Sequence, residues 1–164
     1  MTKNINDIKI RKAEPNDVYV ILKLITDLAQ YEKLSDQVTA TEDLLRENLF
    51  GKNRFVEIWL AEYQNKTVGY LIFYYNFSSF LAKAGLFIED IFVLPEFRGK
   101  GIGKKLLLKV IELAKERDCG RVEWNVLNWN EPAISFYKKI GANSLDEWKT
   151  FRVTSENFDA ILNN

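Results

Sequence analysis

Three groups of residues have types and spacings suited to chemistry. Glycines alternate through Arg98-Gly99-Lys100-Gly101-Ile102-Gly103-Lys104, where a strand-like run ending at Pro95 meets a helical pattern starting at Ile102. Alternating glycines let the backbone approach a ligand and turn N–H groups toward one point. The helix that follows adds unpaired N–H groups and its positive dipole end. With Arg98 and Lys104 this makes a pyrophosphate cradle that needs no metal, or else a tight glycine-rich β–α turn without a ligand. Second, Glu89 and Asp90 are adjacent in LFIEDIFV, a run apolar on both sides. Two carboxylates in a covered strand are unfavourable unless hydrogen-bonded or open to a cleft. They either work there or sit solvated at the strand's mouth. Third, Tyr137 offers a phenol able to donate and recover a proton, although Phe136, Tyr137 and Ile140 also mark an apolar helix face.

What is missing narrows the chemistry further. There is no histidine, and Cys119 is the lone cysteine. Ser-His-Asp and Cys-His nucleophile systems are excluded in their usual form, and no ordinary zinc ligand set exists. The reading is therefore metal-free, with acids and bases drawn from Glu, Asp, Tyr, Lys, Cys or water. The chain carries 23 basic and 23 acidic residues, a balance that argues against nucleic acid as a partner. No apolar run approaches membrane-spanning length, and the opening MTKNINDIKIRK lacks the apolar core of a signal peptide. A cytoplasmic protein with no membrane partner is expected.

These residues need elements to hold them. At 164 residues, with no repeat or linker, the chain is expected to form a single domain over 1–164. Residues 8–13 alternate as a strand. Val18, Ile21, Leu22, Ile25 and Leu28 make one face of a helix that opens near Pro15 and Asp17. A second helix is predicted from Glu42 to Phe50, capped by Thr41 and stopped at Gly51. FVEIWLAEY and TVGYLIFYYN form a hairpin about Gln64–Lys66. AGLFIEDIFV is the next strand, with Leu86, Ile88, Asp90 and Phe92 expected on one face and Phe87, Glu89, Ile91 and Val93 on the other. A helix follows from Ile102 to about Arg117, terminated by Gly120. RVEWNV reads as a strand, and NEPAISFYKKIG as a helix with Pro132 in its first turn. A strand near Glu147–Val153 and a helix capped by Ser155 close the chain. The order is β-α-α-β-β-β-α-β-α-β-α, an α/β (α+β) fold with a mixed central sheet flanked by helices.

The segment V-L-P-E-F-R-G-K-G-I-G-K-K-L-L resembles the coenzyme A-binding motif of GNAT-superfamily N-acetyltransferases, and W-N-E-P-A-I-S-F-Y-K-K-I-G-A resembles their second motif. L-A-Q-Y-E, L-F-I-E-D-I-F-V and W-N-E-P bring the chain near the spermidine/spermine (diamine) N-acetyltransferase branch. S-S-F-L-A-K-A-G-L-F is closer to the members acting on thialysine-like amines. The likeness runs from Ile8 to Trp148 and implies the GNAT fold, acetyl-CoA as co-substrate and a homodimer. It assigns the pantetheine to the backbone of Ile91, Phe92 and Val93, the pyrophosphate to Arg98 and Gly99 to Lys104 (Lys100, Gly101, Ile102 and Gly103 between them), and a further cofactor contact to Asn130, Glu131, Pro132 and Ala133.

The resemblance also implies transfer of an acetyl group to a primary amine by direct attack in a ternary complex. An alkylammonium of pKa ~10.4 is only about 0.04% free base at pH 7, a deficit of roughly 4.6 kcal/mol. Glu89 would polarise a water to take that proton, and Tyr137 matches the tyrosine that protonates the leaving thiolate. The implied substrate groove comprises Tyr31, Glu32, Glu89, Glu123, Trp124 and Asn125, with an acid at Asp146 or Glu147; Glu32 reads equally as a solvated helix-end charge. Ile140 departs from the branch's cofactor-facing arginine, and the loop before Trp148 is shorter. Two alternatives are acetylation of a peptide or protein amine, which differs only in the groove, and a non-catalytic acetyl-CoA-binding module, which needs neither Glu89 nor Tyr137.

Overall fold

A computed structural model describes residues 7–163. Positions 1–6, half of the polar opening stretch read above, lie outside the described residues. A first compact unit runs to Asn125 and a second begins at Val126.

The first unit contains β1 (Ile8–Lys12), α1 (Val18–Glu32), α2 (Glu42–Phe50), β2 (Glu57–Tyr63), β3 (Lys66–Ser78), β4 (Lys83–Val93), α3 (Ile102–Glu116) and β5 (Val122–Trp124). The strands make one sheet in the order β1-β2-β3-β4-β5. The first four pair antiparallel, and β5 joins β4 parallel, as a strand reached through a helical crossover must. Local chemistry sets the boundaries. Gln64 and Asn65 both take positive φ (51° and 61°), the backbone twist that suits a two-residue hairpin turn between β2 and β3. Thr41 caps α2 by accepting the Leu44 N–H at 3.3 Å. Pro15 opens a single 3-10 turn that leads into α1.

Helices cover both faces of the sheet. On one face cations of α3 and of the residue after it stack on sheet rings: Lys109 lies 5.0 Å from the Trp59 ring centroid, and Arg117 5.7 Å from that of Phe73. Arg117 also donates to both Glu57 oxygens, at 2.6 and 3.0 Å. The opposite face meets α1, where the Tyr31 ring centroid lies 6.4 Å from that of Phe92. Leu60, Tyr70, Leu71, Phe73, Leu86 and Ile88 of the sheet are fully buried, together with Ile21 and Leu24 of α1 and Leu106 and Leu107 of α3. Burial of such side chains stabilises by roughly 1.5–3 kcal/mol each.

The second unit contains α4 (Glu131–Lys139) and α5 (Phe158–Leu162). Asn130 accepts the Ala133 N–H at 3.4 Å, Pro132 stands in the first turn, and Gly141 takes φ 93° just past the end.

Three expectations are corrected. α3 ends at Glu116, with Asp118 in the left-handed region (φ 51°), before Gly120 is reached. A short polar side chain tolerates that conformation, so glycine is not needed. Residues 147–153 form no strand, and Phe151 is 90% exposed. Alternation makes a strand only where a neighbouring edge takes up its main-chain groups, and no described strand pairs with this segment. The third correction, in β4, belongs to the site.

Candidate active site

The β3–β4 register breaks within the acidic pair: Ile72 opposes Asp90, Phe73 opposes Ile88, and Glu89 is the extra residue. A β-bulge of this kind changes the phase of the pleat. Beyond it, Asp90 and Phe92 fall opposite Ile72 and Tyr70; before it, Phe87 falls opposite Tyr74. Phe87, Asp90 and Phe92 therefore share the α1 face, and Ile88, Ile91 and Val93 share the α3 face. The strict alternation expected from sequence fails here because one inserted residue shifts every later side chain.

The bulge gathers acids against α1. Tyr70, which is fully buried, donates its hydroxyl to Asp90 Oδ2 at 3.0 Å. Burial pushes the Asp90 carboxyl up to about 6; the Tyr70 bond opposes this, while Glu89 and Glu32 add to it. Burial also raises Glu32. The Tyr74 phenol is raised by burial and by Glu89, which puts Glu89 on the same side. Glu89 is exposed and Asp90 half-buried, so the pair opens to solvent at the bulge. Tyr31 and Phe92 hold the Arg98 guanidinium at 4.2 and 5.5 Å from their ring centroids.

The other edge of β4 is open nearby. The Leu94 N–H donates to Val68 O at 2.9 Å, so by the alternation of an antiparallel ladder Phe92 and Asp90 also bond toward β3. Ile91 and Val93 then direct their main-chain groups to the opposite side. β5 stops at Trp124, opposite Ile88, and does not reach them. Val93 O takes the Arg98 Nε–H at 2.9 Å, so Arg98 braces the strand end and turns back from the glycine loop.

The loop has the backbone and the space that could hold an anion. Gly99 and Gly101 take φ of 71° and 83°, and a Cβ at either would meet nothing within 4 Å. Both glycines thus serve a left-handed backbone with free space outside it. Gly101 caps α3, whose first N–H groups have no intrahelical acceptor. Lys100 folds back, donating to Glu96 O at 3.0 Å and lying 5.4 Å from the Phe97 ring centroid.

Of the remaining sequence-predicted residues, Glu123 is engaged in the sheet: its Oε2 accepts from Asn76 Nδ2 at 2.7 Å and pairs with Arg121 at 2.8 Å. Trp124 ends β5 and Asn125 is exposed. Asn130 to Ala133 form the start of α4, and Tyr137 lies within it against Phe136, ring centroids 5.4 Å apart. Asp146 accepts from the Ser144 hydroxyl at 3.2 Å. Sequence reasoning gave Tyr70 no role, because TVGYLIFYY reads as an apolar strand. Its only signal was a tyrosine where any ring would pack.

The first unit thus carries a glycine turn at a helix start, a strand that β5 does not follow past Ile88, and an acidic bulge. The Acetyltransferase (GNAT) family matches residues 21–142. Over 160 residues the chain is 39% identical to a thialysine N-epsilon-acetyltransferase of Bos taurus, covering 91% of this chain and 94% of the relative. It is 34% identical to the L-ornithine N5-acetyltransferase NATA1 of Arabidopsis thaliana, covering 93% of this chain and 87% of that protein. Among solved structures, an integron cassette protein from the mobile metagenome of V. cholerae superposes with TM-score 0.81 at 23% identity, over 96% of this chain and 99% of its own. This chain belongs to the GNAT acetyltransferase family and is an N-acetyltransferase.

Proposed function

We propose that the chain transfers an acetyl group from acetyl-CoA to a primary amine of a small molecule, of the diamine, polyamine or thialysine type. The observation that carries this reading is the β4 bulge, which turns Glu89 and Asp90 together toward α1 and Glu32. Three carboxylates at one opening suit a substrate with a cation beyond the reacting nitrogen, and two relatives are named for amino acids with a side-chain amine.

In this reading Glu89, the exposed member, orders a water that takes the ammonium proton. Asp90 and Glu32 hold the cations, with Tyr31 closing the pocket. The amine nitrogen attacks the thioester carbon, the C–N bond forms, and the C–S bond breaks. Tyr137 returns a proton to the sulfur. The N–H groups of Gly99 to Lys104 hold the pyrophosphate through the helix terminus, and the main-chain groups of Ile91 and Val93 take the pantetheine. Residues 1–164 then act as one catalytic domain of a cytoplasmic homodimer, without nucleic-acid or membrane partners. No described helix is long and apolar enough to cross a membrane.

The test is thiol release from acetyl-CoA with diamines, thialysine, ornithine, amino acids and peptides as acceptors. Turnover concentrated on the side-chain and diamine acceptors is expected. Turnover on peptides alone would move the assignment to a peptide acetyltransferase.

A further inference from the structure

A buried polar contact to the acidic bulge comes from β3, the strand that pairs with it. Tyr70 is 0% exposed, stands opposite Phe92 in the ladder, and meets its ring edge-on at 6.4 Å. The ring is held by packing on a central strand, so its hydroxyl has one place to point: Asp90 Oδ2, 3.0 Å away. Among the described residues Asp90 accepts no other hydrogen bond, which leaves Oδ1 for a ligand. Phenylalanine would fill the same space, so the hydroxyl answers a polar need and packing does not require it.

We propose that Tyr70 is a positioning residue of the amine site: its buried hydroxyl anchors Asp90 and keeps it ionised beside Glu32 and Glu89, which favours acceptors carrying a second cation. This rests on the small-amine reading above.

The physical argument is a balance. Burial drives Asp90 toward its neutral form, and Glu89 on its own strand and Glu32 on α1 push the same way. The Tyr70 bond is the one contribution that favours the carboxylate. Tyr70 stays a donor throughout, because burial and its acidic neighbours, Asp90 first among them, hold the phenol well above its ordinary value. A hydrogen bond to a charged group accounts for about one pH unit or more in the acceptor's titration. Without it Asp90 would be about half protonated at pH 7, and the negative charge beside Glu32 and Glu89 would fall with it.

The variant is Tyr70→Phe, read in two ways. Carbon-13 carboxyl NMR of the free protein, with Asp90→Asn to identify the signal, follows Asp90 without substrate. Its midpoint should rise by about one pH unit in Tyr70→Phe. In steady state the acidic limb of kcat/KM for a diamine should rise with it. At pH 7, KM should increase about twofold more for the diamine than for a monoamine of equal length, and in an Asp90→Asn background Tyr70→Phe should leave the limb in place. A folded Tyr70→Phe protein with an unmoved Asp90 midpoint overturns the anchoring. A moved midpoint with an unchanged limb and unchanged diamine preference overturns its role in the amine site. A wild-type enzyme that acetylates no small amine overturns the functional reading instead, and the NMR arm distinguishes that case.

Discussion

Glu89 and Tyr137 are adjacent to other groups able to move protons, so each needs a variant that changes one atom's chemistry. Glu89→Gln keeps shape at an exposed bulge position and removes the charge that the proposed base needs. We expect kcat/KM to fall and to recover partly at high pH, as free amine accumulates; a pH–rate profile identical to wild type would exclude Glu89 from the base. Tyr137→Phe keeps the ring that packs on Phe136. Loss of kcat on the order of 10²-fold, with acetyl-CoA affinity and melting temperature little changed, is the expected result of removing a general acid. A folded variant with near-normal thiol release would return this tyrosine to packing. At this scale the adjacency of Glu89 and Asp90 was plain in the sequence. The division of labour between them was not, since burial and the Tyr70 hydroxyl separate their environments and both arise from chain-distant neighbours.

The glycine loop is legible at the scale of the element. Alternating glycines before an amphipathic helix predict a left-handed turn at a helix start, and Gly99 and Gly101 adopt it. With φ of 83° at Gly101, any side chain pays a left-handed penalty of about 1–2 kcal/mol. Gly101→Ala should therefore lower the melting temperature by several degrees and also raise the Kd for acetyl-CoA, because the methyl group enters the open space outside the loop. Calorimetry that finds normal affinity in the destabilised variant would make this a turn without a ligand. The bulge in β4 had no comparable signature. Nothing in LFIEDIFV marks an extra residue, because a bulge belongs to the register between two strands. The absent strand at 147–153 has the same cause with opposite outcome: the alternation is present, and among the described residues no strand pairs with it.

For the whole molecule, the buried Asp90 carboxyl couples stability to pH. Asp90 is raised from 3.8 to about 6 in the fold, so the folded state binds its proton more tightly than the unfolded state does. Stability from this group is full below about pH 4 and is lost as pH rises through about 6. At about 1.36 kcal/mol per pH unit this rise is worth at most about 3 kcal/mol. Asp90→Asn should accordingly melt with wild type at pH 4 and above it at pH 7; equal melting at both would contradict a buried, ionised Asp90. Asp17 and Glu57 act with the opposite sign. The hydrogen bonds they accept from Arg11 and Arg117 lower both carboxyls, so their contributions disappear on acidification. By itself the sequence determined the helices, the hairpin, the mixed sheet, the glycine turn at the start of α3 and the absence of histidine chemistry, because periodicity, caps and glycine spacing act over a few neighbouring residues. Only the tertiary structure decided which face Glu89 and Asp90 share, that β5 ends before Ile91, and that a core tyrosine holds a carboxylate. Each of these depends on pairing between segments distant in the chain, where one residue of register reverses the direction of a side chain.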